Sequence, residues 1–190
     1  MNHVQSRRAI FPASLLLLLF LFLRACVPEP IADLELVESR RVPASALPLS
    51  ADLRGTLANR GDAVWRVSLD GDANWIREIK QHELNSYANV TRCDDRDRRL
   101  LSLGPFVGRV LMSYYGEGFR DYDARSRTVR YDVYLPETGR YRSVKDFNAP
   151  MPSYDLGRQR IPLCFRIAGG GMQGAFAHSN EVRVEVGRMP

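Results

Sequence analysis

Between Thr128 and Leu135 the chain alternates strictly, with Val129, Tyr131, Val133 and Leu135 set against Thr128, Arg130, Asp132 and Tyr134. Successive side chains of an extended strand point to opposite faces, so a two-residue period builds a half-buried strand. The same period recurs along the chain. Ala32, Leu34 and Leu36 oppose Asp33 and Glu35; Trp65, Val67 and Leu69 oppose Arg66 and Ser68; Leu163–Ala168 and Glu181–Val186 close the chain. Phe106–Tyr115 reads as a further strand. Leu53 and Leu57 alternate with Asp52, Arg54 and Thr56, and Asn59-Arg60-Gly61-Asp62 supplies turn residues for a hairpin after them.

Residues 72–85 break the pattern. Trp75, Ile76, Ile79 and Glu83 fall at helical spacing, and the Asp72 carboxylate can accept amide hydrogens left free at a helix start. The spacing predicts one short helix there. Residues 86–101, through Cys93, are charged and ambiguous. Residues 136–162 hold Pro136, Pro150, Pro152 and Pro162 and little periodicity, which predicts a long loop of a kind that is often functional. Many short strands with frequent turns and one helical segment predict a mainly β sandwich.

The last two strands carry a resemblance. Leu163-Cys164-Phe165-Arg166-Ile167-Ala168, a glycine-rich turn, and Ser179-Asn180-Glu181-Val182-Arg183-Val184 resemble the final hairpin of fibronectin type III domains. It covers about 25 residues. Leu163 stands where those domains usually carry a tyrosine. The implied fold is a single immunoglobulin/fibronectin III-like β-sandwich with one short helix, spanning residues 31–190. No Trp follows Cys93 at the spacing that packs on an immunoglobulin inter-sheet bridge.

The amino terminus has its own logic. Arg7 and Arg8 precede an apolar run from Ala9 to Leu23, which Arg24 ends. The run is about 15 residues, short of the roughly 20 that span a bilayer, and it reads as an export signal. Leu23-Arg24-Ala25-Cys26 is similar to the lipobox of bacterial lipoproteins, with Leu three residues before the cysteine and a small residue just before it. Arg24 stands where that family has a small or apolar residue. The resemblance implies that residues 1–25 are a signal peptide, that Cys26 is the lipidation site, and that residues 26–30 form a tether. An uncleaved anchor and cleavage by ordinary signal peptidase near Ala25 are the alternatives. The implied location is the cell envelope, facing the periplasm, with Val27 after the cysteine favouring the outer membrane.

Charge and cysteine usage follow from this. The whole chain has 27 basic and 22 acidic residues; three of the arginines fall in the signal, leaving 24 against 22. No basic block suits nucleic acid, because Arg92–Arg99 interleaves with Asp94, Asp95 and Asp97. Cys93 and Cys164 read as a disulfide in an oxidising compartment, with free thiols or a metal site as rival readings. Leu163, Phe165 and Ile167 share a face, so Cys164 points to the other, and a bridge would strap the Cys93 segment against an outer face or edge.

Catalytic machinery is not visible. His82 and His178 are the histidines after the signal, no Gly-x-Ser-x-Gly elbow occurs, and no cofactor motif is present. Asp70-Gly71-Asp72-Ala73-Asn74 resembles the start of a calcium loop but lacks the distal Glu of an EF-hand, and fits a turn into a capped helix better. Gly169-Gly170-Gly171 reads as a flexible hairpin tip. Tyrosine and arginine are the residues that carry interface energy, and each tyrosine here fits the core equally well. The expected partner-binding set is Tyr134, Arg140, Tyr141, Arg142 and Tyr154, on the 128–135 strand and the 136–162 loop. These features describe a lipid-anchored, non-enzymatic envelope protein that binds another protein. Its layout resembles periplasmic immunity lipoproteins of the type VI secretion system. An accessory lipoprotein of envelope assembly or secretion, or a hydrolase of unfamiliar design, is the alternative.

Overall fold

The computed structural model describes residues 30–58, 62–116, 118–146, 148–171 and 176–187. Cys26 and the signal lie outside them. Strand β1 (Leu34–Pro43) leads through a 3-10 turn (Ala44–Ala46) to helix α1 (Ala51–Ala58), then β2 (Ala63–Asp72), helix α2 (Asn74–His82) and β3 (Asn85–Arg92). Short strands β4 (Arg98–Arg99), β5 (Leu103–Val107) and β6 (Val110–Leu111) precede β7 (Thr128–Pro136). Then come β8 (Thr138–Arg140), β9 (Arg142–Ser143), β10 (Ser153–Asp155), β11 (Ile161–Gly170), β12 (Phe176–His178) and β13 (Val182–Val186).

One sheet runs β1-β2-β7-β5-β6; the other runs β12-β11-β3-β4-β9, with β13 also on β11. Every pairing between these strands is antiparallel. Taking β1, β2, β3, β5, β7, β11 and β13 as strands A to G gives A-B-E-D on one sheet and C-F-G on the other. This is the strand order of a constant-type immunoglobulin sandwich. β8 and β10 form a separate two-stranded sheet.

The alternation explains the core. Trp65, Val67 and Leu69 of β2, Val129, Tyr131, Val133 and Leu135 of β7, and Leu163, Phe165 and Ile167 of β11 all enter one cluster between the sheets. α2 closes one end of it with Trp75, Ile76 and Ile79. The buried Trp75 indole donates to Ser86 Oγ at 3.0 Å, so its polar edge is satisfied. Gly169 lets β11 pass close to this helix: a Cβ there would stand 3.1 Å from Leu84 Cβ, so Leu84 would have to give by a few tenths of an ångström, and 3.5 Å from the Trp75 ring. Gly169 and Gly170 are strand residues, not the hairpin tip expected from the sequence.

A second apolar cluster lies on the outer side of the first sheet. Leu47, Leu49 and Leu57 cover Val64, Phe106 and Tyr134 there. The segment 51–58 is helix rather than the expected strand. Leu53 and Leu57 are four residues apart, which is both two strand periods and about one helical turn. Ser50 decides it, since its carbonyl accepts the Arg54 amide at 3.0 Å and its hydroxyl faces the Leu53 amide at 3.5 Å. The expected turn at 59–62 lies outside the described residues except for Asp62.

Other expectations resolve locally. The Asp72 carboxylate accepts the Asn74 amide at 2.7 Å as expected, and Glu83 ends α2 in the left-handed conformation instead of continuing it. Phe106–Tyr115 is a tight β5–β6 hairpin followed by turns, not one strand. The 136–162 segment contains three short strands rather than an unstructured loop. β1 is held at its start by Asn180, whose Oδ1 accepts the Leu34 amide at 2.7 Å and whose Nδ2 donates to the Leu34 carbonyl at 3.0 Å. Next to this clamp Ala32 bridges Ser179 in parallel, and the Ile31 amide donates to the His178 carbonyl at 2.9 Å.

Candidate functional site

The expected binding tyrosines are core residues. Tyr134 is fully buried under α1, its ring 5.7 Å from that of Phe106, and burial pushes its phenol up to about 12. Tyr141 and Tyr154 are buried against one another with ring centroids 5.2 Å apart. Burial raises the Tyr141 phenol, and the neighbouring Arg92 and Arg98 guanidinium groups oppose that shift. Only Arg140 and Arg142 of the five expected residues reach solvent. Tyr134, Tyr141 and Tyr154 therefore cannot present a surface to a partner; the apolar area that made them interface candidates is spent inside.

Asp97 supplies order that the sequence did not reveal. Its Oδ1 accepts from the Ser143 hydroxyl at 2.9 Å, the Val144 amide at 3.0 Å and the Lys145 amide at 3.1 Å. Those donors hold its carboxyl below the ordinary aspartate value. The charged run 94–99 is thus partly structural. Arg92 pairs with Asp94 and Arg98 with Asp95, while Arg96 reaches across to Glu181 in a two-pronged pair.

Exposed aromatic and basic side chains share the outer face of the second sheet. On β11 the residues facing away from the core are Cys164, Arg166 and Ala168; on β3 they are Thr91, Asn89 and Tyr87, directly opposite them in register. Arg99 of β4 pairs with Thr91, and its guanidinium lies 5.4 Å from the Tyr87 ring centroid. Tyr87, Val144 and Phe176 are large and well exposed on or beside this face. A cavity of about 430 Å³ sits at its centre, lined by Asn89, Thr91, Arg96, Val144, Cys164, Arg166 and Glu181. Asn89 Oδ1 is buried there with no hydrogen-bond partner among the described residues. The Cys93–Cys164 disulfide, with Cα atoms 5.1 Å apart, closes this face and joins neighbouring strands of one sheet. It is not the inter-sheet bridge of an antibody domain.

The sequence carried a signal for part of this face. Once Leu163, Phe165 and Ile167 turn inward, Arg166 must turn outward beside Cys164. His82 lies 3.5 Å from Glu78 one helical turn earlier, and His178 Nδ1 is 2.9 Å from the Ser179 carbonyl oxygen. In the Asp70–Asn74 segment, Asp70 is held by Arg130 and Asp72 by Asn74. Among the described residues, no group of three or more His, Cys, Asp or Glu side chains is placed to hold a metal ion, and no helix is long and apolar enough to cross a membrane.

No protein-family model matches the chain, and no curated protein or solved structure is similar to it at a significant level.

Proposed function

We propose that this chain is a lipid-anchored, non-enzymatic protein of the cell envelope that binds a protein partner through the outer face of its second sheet. The observation that carries the reading is one sheet face that carries exposed Tyr87, Val144 and Phe176 on or beside it, Arg99 stacked over Tyr87, and a cavity lined by Val144 and Arg166. Arg99 and Arg166 have no carboxylate partner among the described residues, so the face offers unneutralised guanidinium groups beside aromatic area. That combination suits a partner with an acidic surface. The lipobox-like Cys26 supports the address, and the layout supports a toxin as partner; an envelope-assembly component is the other outcome.

The test is a photo-crosslinking residue placed in the full-length protein in its native cells, either at Tyr87 or at Arg40 on the outer side of the first sheet. A discrete protein adduct from position 87, absent from position 40 and lost when Arg166→Glu is added, is the expected result. The same adducts from both positions, or none from either, overturn it.

A further inference from the structure

A second cavity, of about 650 Å³, opens between the edges of the two sheets, away from the face described above. Ser39 and Arg41 of β1 stand opposite Val67 and Trp65 of β2, so they share the inward-facing side. Trp65 lines the cavity and is 9 % exposed, yet its indole Nε1–H is buried without an acceptor among the described residues. Ser39 Oγ, on the same wall, is also buried and unpartnered. Two unpaired polar atoms at one cavity are unusual, because buried polar groups are otherwise hydrogen-bonded.

The remaining walls are two ion pairs. Arg41 donates to Glu137 through Nε at 2.7 Å and through its terminal nitrogen at 3.0 Å. Arg160 Nε lies 3.6 Å from Glu185 Oε2. Gly187, at φ +115°, completes the rim; a Cβ there would come within 2.0 Å of the Gln159 carbonyl oxygen, so no other residue fits without moving the chain.

This lining selects by elimination. Trp65 is its one apolar side chain and the rest of its apolar lining is the stems of charged residues, so a hydrocarbon or lipid tail would have to lie among four charged heads and keep them from water. Two carboxylates face the two lining guanidinium groups, and Arg183 outside the lining also reaches Glu185 at 3.5 Å, so each lining charge is already partnered and none is left to draw an ion. What fits is a neutral ligand rich in groups that both donate and accept. Adjacent hydroxyls meet that description: a guanidinium or carboxylate can each address two neighbouring oxygens, the indole N–H needs an acceptor, and sugar C–H groups tolerate an aromatic edge. The volume lies in the range of small-ligand sites, roughly 300–1,000 Å³. We propose that the cleft between Trp65, Ser39 and the Arg41–Glu137 and Arg160–Glu185 pairs binds a saccharide unit, independently of the protein-binding face.

The molecule contains its own control. It has two tryptophans, and the Trp75 indole is fully buried and already bonded to Ser86. The full chain, ¹⁵N-labelled and held in a phosphocholine rather than a sugar-headed detergent, is titrated with chitotetraose, with maltotetraose and with acetyl-trialanine amide. Saturable movement of the Trp65 indole resonance by either saccharide, with Kd of about 1 mM or tighter and a still Trp75 resonance, is the expected result. Glu137→Gln should weaken that binding about ten-fold or more while leaving the Trp75 resonance in place. Trp65→Phe should abolish it, and Ser39→Ala, which leaves the large side chains intact, should weaken it if Trp65→Phe unfolds. No shift with either saccharide, a shift with the capped peptide alone, or equal movement of both indoles overturns the proposal.

Discussion

The Tyr141 ring lies buried against Tyr154, and truncating it to Ala leaves a cavity that the surrounding strands can only partly fill. Tyr141→Ala should cost about 3 kcal/mol, read as a lower urea midpoint with an unchanged slope. A stability change near zero would return this residue to the surface set. Asp97 makes a different prediction. Three donors favour its ionised form, so its folded pKa lies below the ordinary value of 3.8. A depressed carboxyl contributes stability that is complete above its unfolded pKa and is lost as pH falls through the folded one. Acid should therefore weaken the parent more than Asp97→Ala over the range from about pH 5 to pH 2. At neutral pH the variant's Val144 and Lys145 amides should exchange several-fold faster with deuterium, because the carboxylate that holds them is gone.

Among the elements, the pair β3 and β11 is joined twice, by its ladder and by the Cys93–Cys164 bond. The cysteines are 71 residues apart in sequence. On the chain-entropy account, closing a loop of that size removes roughly 4 kcal/mol of freedom from the unfolded chain. Cys164→Ala should lower stability by a few kcal/mol while keeping the β-rich circular dichroism of the parent; alkylation without reduction followed by mass spectrometry should leave both Cys93 and Cys164 unalkylated in the native protein. The strands with strong contrast between faces were legible before the fold was known: β7, β2 and β11 set Val, Leu, Phe and Trp against Arg, Asp and Ser. α2 was legible for the same reason at the helical period. β3 was not, because its inward residues Ser86, Ala88 and Val90 are small and barely more apolar than Asn89 and Thr91 outside. With β3 unread, Tyr87 had no face to belong to, and the candidate site was missed. β8, β9 and β10 are two or three residues long, too short for any period to repeat. Tyr134 reads as a surface residue in the sequence because alternation sends it away from the inter-sheet core, and nothing in its own strand tells of the helix that covers that side.

At the scale of the whole molecule, the sandwich order A-B-E-D and C-F-G leaves two unlike regions free, the outer face around Arg166 and the cleft beside Trp65. Separate sites on separate elements should respond separately to substitution: Arg166→Glu should leave saccharide titration unchanged, and Glu137→Gln should leave the crosslink from position 87 unchanged. The anchor has its own test. Cys26→Ser should abolish incorporation of a palmitate analogue in cells, and equal label in parent and variant would refute lipidation. The Asn180 clamp on Leu34 then acquires a meaning for posture. Five residues, 26–30, reach at most about 18 Å, and the clamp fixes where on the body that leash is tied. If Cys26 is acylated, the Leu34 end of β1 is the end kept within reach of the headgroups. Arg41 lies seven residues beyond Leu34, about 24 Å higher along the strand. A body tied there would carry the Trp65 cleft at the far end of β1 from its leash, within reach of ligands that a lipid surface would otherwise crowd.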